Sequence, residues 1–112
     1  MSSQPFVACV PAPHALARRR ALPLTALAGE PLALVSRSVS PDYHARIVGA
    51  CQAAGFTPQP LHELQHWLSV VSLVAQGLAV ALVPAALQQA QLAGAAFVPV
   101  RDPHGTLPRY ET

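Results

Sequence analysis

Charged side chains are scarce in this sequence, and the widest gap between them marks its most buried part. Only 11% of the 112 residues are Asp, Glu, Lys or Arg, whereas about a quarter is typical of soluble domains. No charged residue lies between Glu63 and Arg101. A segment so long and uncharged must be buried in a protein core or a membrane. The shortage over the whole chain also predicts a surface that another domain or subunit covers.

Net charge and cysteine content are low as well. The formal charge of +2 is too small to indicate nucleic-acid binding by itself, and the one basic cluster, residues 18–20, is typical of a solvated loop. Cys9 and Cys51 lack metal-ligand spacing and fall in apolar patterns, which predicts buried, reduced thiols. No positive charge precedes the first apolar residues, so a signal peptide is not expected and a cytoplasmic location is.

The apolar segment at residues 67–87 is punctuated like part of an α/β protein. A helical pattern begins at Trp67 and stops at Gly77, where a helix commonly ends. Residues 79–83 are apolar on both faces, as in a buried parallel strand, and Pro84 suits the start of another helix. About 20 apolar residues would be enough to span a membrane. The glycine, the proline and the absence of basic flanks favour a soluble fold instead.

Strand and helix patterns alternate along the whole chain. Strands are predicted at residues 6–10, 32–35, 57–61, 79–83 and 95–100, and helices at residues 41–54, 67–76 and 85–91, with a short helical turn at residues 24–28. Ser40 is a favourable N-cap for the helix that begins with Pro41. This alternation predicts a mostly parallel sheet with helices on both faces. Ligands bind beyond the carboxyl ends of such strands, which selects residues 36–40, 63–67 and 83–85.

Four segments resemble the effector-binding domain of LysR-type transcriptional regulators. They are FVACVPAPHALA (6–17), LTALAGEPLALVSRSVSP (24–41), AGF (54–56) and SLVAQGLAVALVPAAL (72–87). The last is the most specific, although Ala79 stands where the family usually places a second glycine. The resemblance implies half of a type 2 periplasmic-binding-protein-like domain, its second subdomain, over residues 6–100. A loosely held tail is expected at residues 101–112.

This resemblance implies a ligand-sensing regulatory subdomain with no enzymatic activity and no cofactor. In the family the effector lies between two subdomains, so this chain would supply one wall of the cleft. The helix-turn-helix and the first subdomain are not recognised in the sequence, so direct nucleic-acid binding is not expected. Expected partners are a small organic anion and the missing first subdomain or another subunit, in a homo-oligomer. A membrane is not an expected partner.

The loop at residues 36–40 is the main candidate for effector contact. Its hydroxyls, backbone N–H groups and one guanidinium would converge on a carboxylate at a helix N-terminus. From the residues alone, a plain capping loop is an equal alternative, and the resemblance favours the site. Trp67 fits either a core aromatic or a cleft wall. The expected effector-binding residues are Ser36, Arg37, Ser38, Val39, Ser40, Glu63, Trp67 and Val83, with no catalytic or metal-binding residues.

A zinc-dependent hydrolase is the alternative function. Residues 62–66 read HELQH, which matches the H-E-x-x-H signature. On a helix that pattern places two imidazoles on one face with a carboxylate general base beside them. A proline two residues before His62 disfavours a regular helix there.

Apolar residues around both long helices predict association. Beyond the face that must cover the sheet, Ala45, Val48 and Gly49 on the first helix leave further apolar area, as do Leu68 and Val71 on the second. Helices apolar over so wide an arc are usually buried on more than one side. The isolated chain is therefore expected to self-associate or aggregate.

Overall fold

A computed structural model describes residues 3–58, 61–90, 92–101 and 110–111. Its strands are β1 (Ser3–Gln4), β2 (Phe6–Pro11), β3 (Leu22–Pro23), β4 (Leu32–Val35), β5 (Leu61–Leu64), β6 (Val80–Pro84), β7 (Ala95–Arg101) and β8 (Tyr110–Glu111). Its α-helices are α1 (Pro41–Ala53) and α2 (Trp67–Ala75), and 3₁₀ helices span Ala15–Arg18, Leu24–Leu27 and Ala85–Ala90.

Six of these strands form one mixed sheet in the order β3-β7-β2-β6-β4-β5. β4 pairs in parallel with β5 and β6, and β3 pairs in parallel with β7. β2 is antiparallel to both of its neighbours, so five strands share one direction and β2 alone opposes them. The mostly parallel sheet is confirmed. β1 and β8 form a separate antiparallel pair.

The two α-helices cover opposite faces of this sheet, as predicted. Successive strand residues point to opposite faces, and because both faces are buried, both sets are apolar. One core joins alternate strand residues to α1 through Ile47, Ala50 and Cys51. The other core joins the remaining strand residues to α2 through Val70, Val71 and Val74. The near-continuous apolar strands follow directly from this two-sided burial.

Helix α1 begins where predicted, but its N-cap works differently. Ser40 occupies the N-cap position, as predicted, but its side chain makes no capping hydrogen bond. Instead, the Ser40 backbone carbonyl accepts the N–H of His44 at 3.0 Å, and the Ser40 N–H donates to the carbonyl of Ser36 at 2.9 Å. The start of α1 is thus tied to the preceding loop through the backbone.

Two predicted elements differ from those observed. A strand at residues 57–61 is wrong, because Thr57 and Pro58 are outside any strand and β5 spans Leu61–Leu64. A proline has no N–H to donate to a strand ladder, which explains why pairing does not begin at Pro58. The helix predicted at residues 85–91 is a 3₁₀ helix over Ala85–Ala90, and residue 91 lies outside the described residues.

Both cysteines are buried free thiols, as predicted. Burial raises the pKa of the Cys9 thiol to about 12 and that of Cys51 to about 11. They belong to the two different cores on opposite faces of the sheet. Among the described residues, no helix has the length and apolar composition needed to cross a membrane.

The tail expected at residues 101–112 is described only in part. Arg101 continues β7, and residues 110–111 form β8 against β1. Residues 102–109 and 112 lie outside the described residues, so the loosely held tail and the boundary at residue 100 stay predictions.

Gly94 and Gly49 give a matched test of the packing. Gly94 has a φ of +94°, and a Cβ there would lie 2.8 Å from the carbonyl oxygen of Ala75. Left-handed backbone alone disfavours a side chain by about 1–2 kcal/mol, so Gly94→Ala should lower the free energy of unfolding by at least that amount. At Gly49, inside α1, an added Cβ meets nothing within 4 Å. Gly49→Ala should stabilise by about 0.5–1 kcal/mol. Urea unfolding measures both, and equal effects would contradict this packing.

Candidate ligand-binding site

The candidate site lies where three parallel strands end at the same edge of the sheet. β4 ends at Val35, β5 at Leu64 and β6 at Pro84. The register pairs Val35 with Leu64, and the Ser36 N–H extends the ladder by donating to the Leu64 carbonyl at 2.7 Å. The pairing therefore brings the 36–40 loop beside the residues that follow β5.

The 36–40 loop is a tight turn organised around Ser36. The carbonyl of Ser36 accepts the N–H groups of Val39 and Ser40 at 3.0 and 2.9 Å. Its hydroxyl accepts the Ser38 N–H at 3.2 Å and lies 2.9 Å from the Ser38 hydroxyl. Arg37 extends outward with 72% of its side chain exposed. The loop therefore presents hydroxyls and a guanidinium on a preformed backbone.

Glu63 ties this loop to β5. Its Oε1 accepts the Arg37 backbone N–H at 3.1 Å, and its Oε2 lies 3.8 Å from Arg37 Nη2. The Nε2 of His44, on α1, is 3.5 Å from Oε1. The hydrogen bond from the Arg37 N–H contributes most to lowering the pKa of Glu63. Desolvation raises this pKa, whereas electrostatic attraction to His44 and Arg37 and a hydrogen bond with Ser36 lower it further. The carboxylate is therefore favoured in its ionised form.

A cleft of about 280 Å³ opens between the loop and the start of α2. Its lining residues are Val35, Val39, Ser40, Gln65, His66 and Trp67. The Trp67 ring is half-buried, and its centroid lies 6.0 Å from that of Phe6 in an edge-to-face arrangement. Trp67 also packs against both cores. It therefore combines the two roles considered from the sequence, a packed aromatic and a cleft wall.

The other expected site residues take different positions. Ser36 and Ser38 shape the loop from within, and Glu63 contacts the loop backbone. Val83 is fully buried in the α2-side core, beneath the edge where the cleft opens. Arg37 lines a different groove from the one that Val39 lines.

Some residues at the site were not expected from the sequence. Val35, Gln65 and His66 line the cleft because they flank the ends of β4 and β5. Gln65 and His66 fall in the 63–67 segment that the strand-end rule selects, although they are not among the expected effector-binding residues, and Val35 lies just before the selected 36–40 segment. His44 is 8% exposed and reaches the Glu63 carboxylate from α1. Only its position on the buried face of the helical pattern could have indicated this role.

A second groove, of about 390 Å³, runs along the flank of α1. Its lining residues are Arg37, His44, Ala45, Val48, Gly49, Gln52, Thr57 and Pro58. It includes the three apolar positions on α1 that predict association. The 36–40 loop thus contributes to two depressions, through Arg37 on one side and through Val39 and Ser40 on the other.

The HELQH segment does not have the helical geometry that the zinc hypothesis requires. His62 and Glu63 lie in strand β5, and His66 is the extended residue before α2. Two histidines four residues apart share a face on a helix but not across this strand and turn. Within the described ranges, no cluster of three or more His, Cys, Asp or Glu side chains could hold a metal ion.

The class of protein follows from the fold and from a match to a known protein family. The family model described as the LysR substrate binding domain matches residues 1–112. The chain therefore belongs to the LysR substrate-binding-domain family, with the periplasmic-binding-protein-like fold expected from the resemblance.

Two relatives of this chain are transcriptional regulators. The chain is 36% identical over 101 residues to the HTH-type transcriptional regulator IlvR of Caulobacter vibrioides, a match that covers 90% of this chain and 33% of IlvR. It is 30% identical over 87 residues to the HTH-type transcriptional regulator BenM of Acinetobacter baylyi, covering 78% of this chain and 29% of BenM.

A solved structure of a relative has the same fold as this chain. The BenM effector-binding domain with its effector benzoate superposes with a TM-score of 0.83 at 27% identity, covering 92% of this chain and 47% of that domain. The chain thus spans about a third of the length of the curated relatives it matches.

Metal analysis tests the zinc alternative directly. Because His62 and His66 do not share a helical face, we expect the purified chain to hold less than stoichiometric zinc after brief dialysis. His66→Ala should leave any residual metal content unchanged, with His14→Ala as a control outside the motif. Stoichiometric zinc that disappears in His66→Ala alone would restore the hydrolase hypothesis.

Proposed function

We propose that this chain is the ligand-sensing half of a LysR-type regulatory domain and supplies one wall of a small-molecule cleft. The observation that carries the proposal is the cleft at the carboxyl edge of the sheet, lined by the 36–40 loop and the first residue of α2. Its location agrees with the general rule for open α/β sheets. The proposed effector is an organic carboxylate.

The chemistry of the cleft supports an anion with an apolar body. Ser40 and His66 are polar, whereas Val35, Val39 and Trp67 form an apolar wall. The exposed Arg37 guanidinium extends from the same loop but lines the α1 groove, so it would favour an anion near the loop through its positive charge. The benzoate complex of BenM supports the same ligand class, because its effector combines a carboxylate with an apolar ring.

We expect a ligand that contacts only one wall of the cleft to bind weakly. Ligand sites usually bury most of the ligand surface, and a single wall cannot enclose a ligand in that way. We therefore expect the isolated chain to bind a simple carboxylate with a dissociation constant no tighter than about 1 mM, or about 4 kcal/mol of binding free energy.

Chemical-shift mapping on the ¹⁵N-labelled chain tests the site. Sodium benzoate should shift the amides of residues 36–40 and the indole N–H of Trp67, and benzamide, its uncharged analogue, should shift them less. Arg37→Gln should weaken the benzoate effect, whereas Arg46→Gln, which alters an exposed arginine paired with Asp42 on α1, should not.

Two results would count against this function. Benzoate shifts confined to residues away from the cleft would remove the proposed site. Tight, saturable binding by the chain alone would contradict the one-wall arrangement, because a half-site lacks the surface to enclose the ligand.

We also propose that the flank of α1 is covered in the assembled protein. Ala45 and Gly49 are exposed and Val48 is half-buried along the α1 groove. The expectation for α2 needs correction, because Val71 is fully buried and only Leu68, at 57% exposure, extends outward. Three of the five expected positions therefore line one groove on α1, whereas of the two on α2 only Leu68 is exposed.

Light scattering at increasing concentration measures this association. The unmodified chain should show a mass that rises with concentration, and Ala45→Glu should reduce the rise because a carboxylate in the groove must be desolvated on contact. Leu68→Glu is the matched control on α2 and should have little effect. A stable monomer at high concentration, or an equal effect of both substitutions, would contradict an α1 interface.

A further inference from the structure

The carboxylate of Glu63 is already engaged within the chain. Oε1 accepts the Arg37 backbone N–H at 3.1 Å across a sequence separation of 26 residues, and Oε2 lies 3.8 Å from the guanidinium of the same residue. A backbone N–H fixes the position of the chain itself, whereas a contact to a side chain can be kept while the chain moves. This bond therefore holds the start of the 36–40 loop against β5.

A second element, α1, reaches the same carboxylate. His44 is buried on the first turn of α1, and its Nε2 lies 3.5 Å from Glu63 Oε1. Within the part of the chain that the structure describes, that nitrogen makes no hydrogen bond. Its contact with the Glu63 carboxylate is an ion-pair distance and not a hydrogen bond. The His44 backbone N–H in turn donates to the Ser40 carbonyl at 3.0 Å. Loop, strand and helix thus meet at one carboxylate.

We propose that Glu63 is a positioning residue, which holds the 36–40 loop in the shape that accepts an effector and does not itself contact the effector. The part that concerns the effector rests on the proposed function. Glu63, the second residue of the HELQH segment, would therefore have a structural role that needs no metal. Loss of the carboxylate should loosen the loop while leaving both cores in place, because Glu63 lies at an edge strand and outside both cores.

The pH dependence of the loop follows from the same contacts. Among the described residues, the ionisable groups in contact with Glu63 are Arg37 from the loop and His44 from α1. The Arg37 N–H is the main cause that lowers the pKa of Glu63 below its usual 4.5. A lowered pKa in the folded chain means that the contribution of Glu63 is fully present above 4.5 and is lost as the pH falls through the lowered value.

An NMR pH titration of the ¹⁵N-labelled chain, at concentrations where light scattering finds no association, reads this contact directly. The amide proton of Arg37 should titrate with a midpoint below 4.5, and Glu63→Gln should abolish that titration. In Glu63→Gln and Glu63→Ala, the amides of Val39 and Ser40 should exchange with solvent faster at neutral pH, on the order of 3- to 10-fold.

Glu30→Gln is the matched control. Glu30 also contacts a histidine, with Oε1 3.2 Å from Nε2 of His14, but it lies outside the 36–40 loop. Its substitution should change neither the titration of Arg37 nor exchange in the loop. The positioning role is overturned if Arg37 does not titrate in the unmodified chain, or if both Glu63 variants leave loop exchange unchanged.

Benzoate mapping separates this inference from the proposed function. If the unmodified chain shows the Arg37 titration but no benzoate shifts at residues 36–40, the effector site fails and the structural contact stands. If benzoate shifts residues 36–40 equally in the unmodified chain and in Glu63→Gln, the site stands and the positioning role fails. Both inferences are supported if Glu63→Gln weakens the benzoate shifts several-fold without moving the core amides.

Discussion

Parallel pairing of β4 with both β5 and β6 is the constraint on which the rest of the structure depends. Because parallel strands end at the same edge, the segments that follow them are forced to meet there. The Ser36 N–H continues the pairing with β5 for one more residue, so the 36–40 loop starts from a fixed backbone position. The cleft, the Glu63 contact and the start of α1 all follow from that position.

The same pairing explains why the chain is so apolar. A strand between parallel neighbours needs a helix on each face, since the connection between parallel strands crosses the sheet. α1 and α2 supply those covers, and the strand residues facing both of them are apolar. Burial on both sides accounts for the uninterrupted apolar run of β6 within the uncharged stretch after Glu63. The exposed apolar flank of α1 is left unexplained by the sheet, which is why it carries the association proposal.

Most of the fold could be predicted from the sequence because burial leaves a local signature. β4 and the first residue of α1 were placed correctly by an apolar run and by a proline after a serine. β5 was misplaced because Pro58 cannot donate to a strand ladder, and the strand observed in this region is Leu61–Leu64. The contact between Glu63 and Arg37 could not be predicted, since it joins residues 26 positions apart and depends on strand register. His44 gave no signal beyond its position on a helix.

A short loop with few apolar contacts takes its shape from a small number of hydrogen bonds, and here those bonds also decide what a ligand can change. A ligand shifts a loop only by as much as it binds one shape better than another. The hydroxyls of Ser36 and Ser38 already contact each other, so an anion that recruits them must compete with that contact. The Arg37 N–H is held by Glu63 in the same way. Because Arg37 lines the α1 groove while Val39 and Ser40 line the cleft, a movement of the whole loop would alter both surfaces. The 36–40 loop is therefore the shared boundary of the cleft and of the surface proposed for association.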